Sequence, residues 1–270
     1  MSKTTPDKSV GSMIAATAPP PVGLLLVGHG TRDVRGIDEF HTLCRRVTKR
    51  WGGGPVGHGF LELAKPTIRS GLDRLAREGV RHVVAVPVLL GEASHAKEDI
   101  PQVVAAAERS TGVSVELAGP LACHPQIVRL SLRRCCRAIE ASQPVPPAGT
   151  CLILVARGSS DRQAAEQIGR FAALRVDPSR FAVVRTAFLT AASPLLEEAL
   201  RNAGQEAWTR VIVQPHLLFH GQLVGQVAEH VARLRVDQPR LDWLVTPHLG
   251  PSALVANALV DRAAGVLQRE

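Results

Sequence analysis

The stretch VGLLLVGHGTR at residues 22–32 decides the fold class. Its first seven residues, Val22–Gly28, form an apolar run closed by glycine, without the alternation of a half-exposed strand. Such a run reads as a strand buried on both faces, as in a parallel sheet covered by helices. Working outward, a segment of helical period follows at Val34–Arg50, then β-rich runs at Val56–Leu61 and Val83–Leu90. A helical segment at Lys97–Arg109, a fourth strand at Val113–Leu117 and a helix from about His124 to Ala141 complete the half. Strand then helix, four times over, predicts an α/β unit: a four-stranded parallel sheet with helices on both faces.

The opening returns as TCLILVARGSS at 150–160. One constant shift of 128 residues lays Leu24, Leu26, Val27 and Gly30 on Leu152, Leu154, Val155 and Gly158. Without a gap it also lays Phe60 and Leu61 on Phe188 and Leu189, Pro66 on Pro194, Pro87 on Pro215, and Leu89 and Leu90 on Leu217 and Leu218. Unrelated units would need different loop lengths to align, so the shift marks a duplicated domain. Between the copies SQPVPPAGT, Ser142–Thr150, carries three prolines and a glycine and cannot continue a helix. The expected organisation is a solvated tail at 1–20, a first domain at 21–141, a linker at 142–150 and a second domain at 151–270.

Composition narrows the function classes. In 270 residues, 45% are hydrophobic and 21% charged, as in an ordinary globular protein that folds unaided. No apolar run approaches the roughly 18–20 residues of a membrane span, and residues 1–20 have no signal-type hydrophobic stretch. The five cysteines are odd in number and form no CxxC pair, which fits free thiols in a reducing cytoplasm. The net charge of +8 would attract an anionic partner. Nucleic acid is not expected to be that partner, because aromatics are only 3% with no Tyr, too few for base-stacking platforms.

In open α/β sheets ligands bind beyond the carboxyl ends of the strands. Three such ends carry metal-ligating types: His29 after the first strand, Glu62 after the second, and His95 after the third, separated by 33 residues each. Two imidazoles and a carboxylate suit iron, cobalt, nickel or zinc, and a three-ligand site stays open for exchange, unlike a closed four-ligand structural zinc site. The second copy is an internal control. The 128-residue shift carries His29 to Arg157, Glu62 to Thr190 and His95 to Leu223, so all three ligands vanish while the scaffold around them is kept. His41, His58, His82, His124, His230 and His248 are scattered without ligand spacing and read as structural, as do His216 and His220, four apart at a strand end. No Walker-type loop follows a strand, so nucleotide use is not expected.

These motifs carry a resemblance. HGTR at 29–32, FLELAKPTI at 60–68, PVLLGEASHAKEDIP at 87–101 and PLACHP at 120–125 resemble the sirohydrochlorin chelatases of sirohaem and cobalamin synthesis. AFLTAASPLLEEAL at 187–200 and QPHLLFHGQL at 214–223 resemble that family's degenerate C-terminal domain. The resemblance implies two tandem chelatase-like domains. It further implies His29 and His95 as metal ligands, His29 also as proton acceptor, and Glu62 completing the site. It implies substrate contacts at the loop Leu90, Gly91, Glu92, Ala93, Ser94 and at Lys65, where the family pattern is acidic and this chain is basic. Arg32 and Lys97 are candidates for the substrate's carboxylates, which arginine forks bind bidentately. The implied reaction is ATP-independent insertion of Co2+ or Fe2+, with Ni2+ also compatible, into sirohydrochlorin by a monomer. A non-catalytic metal or tetrapyrrole carrier is the alternative, and turnover separates the two.

Overall fold

The computed structural model describes residues 21–91 and 94–268, and of residues 94–97 the backbone alone. The first half runs β1 (Val22–Gly28), α1 (Val34–Thr48), β2 (Val56–Phe60), α2 (Ile68–Arg77), β3 (His82–Pro87), α3 (Ser94–Thr111), β4 (Ser114–Leu117) and α4 (Pro125–Glu140). A 3-10 turn at Pro147–Gly149 leads into the second: β5 (Thr150–Ala156), α5 (Arg162–Ala173), β6 (Val183–Phe188), α6 (Leu196–Gln205), β7 (Arg210–Pro215), α7 (Gln222–Asp237), β8 (Asp242–Val245) and α8 (Ala253–Leu267). Every pairing in the two sheets, ordered β2-β1-β3-β4 and β6-β5-β7-β8, is parallel. Both orders place the first strand of each half in the interior, and Leu24–Val27 and Leu152–Val155 are accordingly fully buried.

The duplication holds at the level of backbone detail. Lys65–Pro66 and Ser193–Pro194 are both cis, and Leu63 and Ala191 share positive φ values of 60° and 54°. Several element boundaries shift by one to three residues from the sequence reading, and the shift at the third strand has a clear cause. The apolar run Val83–Leu90 is strand only to Pro87, because β1 stops at Gly28 and, after Val88 donates its N–H to the Val27 carbonyl, no ladder remains for Leu89 and Leu90. Those residues turn out of the sheet instead.

The two halves share a core. Helix α8 packs on α1, α4 and β3, burying Val255, Ala258 and Leu259 in one cluster with Leu24, Leu26, Val84 and Val86 of the first sheet. Helix α4 begins in that cluster through Ile127 and Leu130 and ends against the second sheet, where Cys135 packs with Leu152, Phe181 and Ile212. Ser131 of α4 is buried and hydrogen-bonds the Gln214 side chain of β7 at 2.8 Å. The last helix of each half therefore covers a sheet of the other. All five cysteines are free. No helix among the described residues is long and apolar enough to cross a membrane.

Candidate metal and tetrapyrrole site

The site begins with a close approach of two strand ends. Leu61 N–H donates to the Gly28 carbonyl at 2.9 Å and Glu62 N–H to the His29 carbonyl at 3.0 Å, which holds the β1 and β2 exits side by side. Gly30 makes this possible: its φ is +102°, and a Cβ there would stand 1.8 Å from the Glu62 carbonyl oxygen. Only glycine has both the conformation and the space. The result brings His29 Nε2 to 3.3 Å from Glu62 Oε1, with side chains 39% and 54% exposed. Both groups can exchange protons with water.

Beyond the pair, Asp33 caps α1 by accepting from Gly36 N–H at 3.1 Å, which lowers its carboxyl from the ordinary range, helped by His220. Leu90 and Gly91 leave β3 along the wall of a cavity of about 610 Å³ that lies between the halves. His29, Phe40, Phe60 and Leu90 face it from the first half and Arg157, Gln167, His216 and His220 from the second. A concave, largely apolar space with a few polar groups at its edge suits one small-molecule ligand. His95 is the second residue of α3; its side chain, with those of Ser94 and Lys97, lies outside the described residues, as do Glu92 and Ala93 altogether. Arg32 and Lys65 are exposed and do not line the cavity. Among the described residues no group of three or more His, Cys, Asp or Glu side chains is arranged to hold a metal.

The second half repeats the scaffold with different chemistry. Thr190 N–H donates to the Arg157 carbonyl at 2.9 Å, and Gly158, at φ +91°, would place a Cβ 1.8 Å from the Thr190 carbonyl. The crossing is the same as at Gly30. The side chains delivered there are a guanidinium, which repels a cation, and a hydroxyl.

The CbiX family profile matches this chain twice, at residues 23–138 and 151–266. The chain belongs to the CbiX family. A sirohydrochlorin ferrochelatase of Priestia megaterium is 33% identical over 228 residues, covering 84% of each chain. A sirohydrochlorin cobaltochelatase of the same organism is 26% identical over 250 residues, covering 92% of this chain and 80% of the relative. Among solved structures, SirB from Bacillus subtilis with Fe3+ superposes with a TM-score of 0.81 at 26% identity, covering 92% of this chain and 98% of that one.

This CbiX chain also carries residues in and near the cavity that sequence reasoning treated as structural or passed over. His220 Nδ1 lies 3.2 Å from Asp33 Oδ2, and His248 Nε2 lies 3.0 Å from both oxygens of Glu39, so two histidines of the second half meet two carboxylates at the start of the first. His216 is buried with neither ring nitrogen partnered among the described residues, its ring 4.2 Å from that of Phe171. Burial, with Arg175 nearby, pushes its imidazole down to about 3. Gln167 of α5 reaches into the first half and donates to the Leu90 carbonyl at 2.9 Å. The 128-residue shift could have flagged it, since Gln167 falls on Glu39.

Proposed function

We propose that this CbiX chain is a sirohydrochlorin chelatase that inserts Co2+ or Fe2+ into the macrocycle without ATP, for cobalamin or sirohaem synthesis; Ni2+ suits the same ligands. The observation that carries the reading is the His29–Glu62 pair beside the interlobe cavity, in a chain whose named relatives are sirohydrochlorin ferro- and cobaltochelatases. His29, Glu62 and His95 hold the metal, and the tetrapyrrole lies in the cavity against Leu90 and Gly91. Glu92, Ala93 and Ser94 belong to the same contact loop. Arg32 and Lys97 are the candidates for its peripheral carboxylates, with Lys65 a further contact position; Arg32 and Lys65 could meet only groups that extend beyond the cavity, which they do not line.

Insertion exchanges two pyrrole N–H protons for one dication, so two protons must leave the ring as two positive charges enter. An imidazole nitrogen cannot ligate and accept a proton at once. As the metal passes to the pyrrole nitrogens, His29 Nε2 is freed to take one proton. Glu62, 3.3 Å away, offsets the metal's charge before transfer and takes the second proton or relays the first. The exposure of both side chains lets those protons pass to solvent. The second half contributes a wall and no ligands, and with both walls in one chain the protein acts as a monomer. Its free thiols fit a reducing cytoplasm.

The test is an absorbance assay of purified protein with sirohydrochlorin and each metal in turn. His29→Ala and His95→Ala are each expected to abolish catalysed insertion with circular dichroism unchanged, because the His29 side chain is 39% exposed at the end of β1 and His95 follows the third strand in the sequence. Near-normal turnover in either variant removes that residue from the site. Binding of metal or tetrapyrrole with no insertion above the protein-free rate identifies a carrier instead.

A further inference from the structure

The wall of the interlobe cavity has a charge balance that a metal site does not account for. Among the described residues that face it there is no Asp, Glu or Lys, and the one Arg is Arg157, just past the end of β5. His29, His216 and His220 are the other titratable groups there, and most of the remaining wall is apolar side chain and glycine. A ligand in this space therefore meets one fixed positive charge and no negative one.

Arg157 stands where the 128-residue shift places His29, and its backbone is held in the same way. Its carbonyl accepts the Thr190 N–H at 2.9 Å and the Thr190 hydroxyl at 3.2 Å, while the residue as a whole stays exposed. Other arginines of this half have carboxylate partners: Arg162 meets Glu166 at 2.9 Å and Arg185 meets Glu206 at 2.6 Å. Arg157 has no such partner among the described residues. A guanidinium is charged at any physiological pH, and its planar fork binds a carboxylate through two parallel hydrogen bonds. Without an acid of its own, the fork is open to one carried by a ligand.

We infer that Arg157 binds a peripheral carboxylate of the tetrapyrrole, so that the same strand exit serves the metal in the first half and the anionic rim of the macrocycle in the second. The inference rests on the proposed function for the identity of the ligand. The rim carboxylates are unchanged by metal insertion, so this contact is equally strong before and during the reaction. Interactions of that kind govern KM and leave kcat alone.

The test is steady-state insertion of cobalt into sirohydrochlorin by the full chain in the wild type, Arg157→Ala, Arg157→Lys and Arg162→Ala. Arg162 lies in the same half but off the cavity, so its loss reports what the removal of one positive charge does by itself. Arg157→Ala is expected to raise the KM for sirohydrochlorin about tenfold, the low end for a charged hydrogen bond because the site is open to water, with kcat nearly unchanged. Arg157→Lys keeps the charge but not the fork and should fall between the wild type and Arg157→Ala. Cobalt affinity measured without the tetrapyrrole, and circular dichroism, should match the wild type in every variant. A wild-type KM in Arg157→Ala, an equal rise in Arg162→Ala, or a loss of cobalt affinity in Arg157→Ala overturns the inference alone. A wild-type protein with no insertion above the protein-free rate overturns the proposed function, and the inference with it.

Discussion

His216 stands at the end of β7, where the 128-residue shift places Val88 in the first half, and its imidazole takes up the space of a core residue. With a folded value of about 3, it stays neutral in the native state, while the unfolded chain takes up a proton near the ordinary 6.5. Below about pH 6.5 the unfolded state therefore binds more protons, and stability is lost as pH falls, by up to about 1.4 kcal/mol per pH unit until the folded value is reached. Above that window the group contributes no pH dependence. His216→Leu removes it at nearly constant volume. Urea unfolding at pH 7 and pH 5 should show the wild type losing about 2 kcal/mol more than the variant over that interval. Parallel losses would mean that the buried ring is protonated in the native state. The sequence could not reveal this, because a lone histidine four residues from another looks the same whether its neighbours are ligands, carboxylates or phenylalanine. His220 makes the same point from the other side, since its partner Asp33 is 187 residues away.

At the scale of elements, the order of strands and helices was legible because buried parallel strands are continuous apolar runs and amphipathic helices separate them. The duplication was legible for a sharper reason. The crossing at Gly30 and its copy at Gly158 tolerate neither a side chain nor a different loop length, so one shift survives through every strand end. The crossed helices were not legible. Periodicity marks which face of α4 or α8 is buried, yet it cannot say which sheet lies beneath that face. Structure settles it for α8, where Leu259 is fully buried in the cluster of the first-half sheet. Leu259→Ala should cost about 2–5 kcal/mol, the usual range for a buried leucine truncated in a core that cannot fully collapse. Hydrogen exchange can locate that loss: amides of β1 and β3 should lose protection along with α8. If only the second half loosened, α8 would belong energetically to the lobe it follows in sequence.

For the whole molecule, the crossing of α4 and α8 makes each lobe incomplete without the other. A first fragment of residues 21–141 would keep the proposed ligands but lose α8, exposing the side of Leu24, Leu26 and Val84 that Val255 and Leu259 cover. A second fragment of residues 142–268 would retain the linker contacts, including the Gln143 carbonyl that accepts from Arg210 at 2.5 Å, but lose α4 from Leu152, Phe181 and Ile212. Contiguous apolar faces of that kind drive association or aggregation. Each face is also the complement of the helix carried by the other fragment. Produced separately, the fragments should therefore be poorly soluble or self-associated and inactive. Co-expressed, they should copurify and recover metal insertion into sirohydrochlorin, with activity falling on dilution as the pair separates. Insertion at the wild-type rate by residues 21–141 alone would show that neither the cover of α8 nor the Gln167 hydrogen bond to Leu90 is needed. Copurification without activity would place the fault in the cut at residue 141, and rejoining the same fragments by a longer flexible linker should then restore turnover, because the linker's task in this reading is only to keep the two halves at high effective concentration.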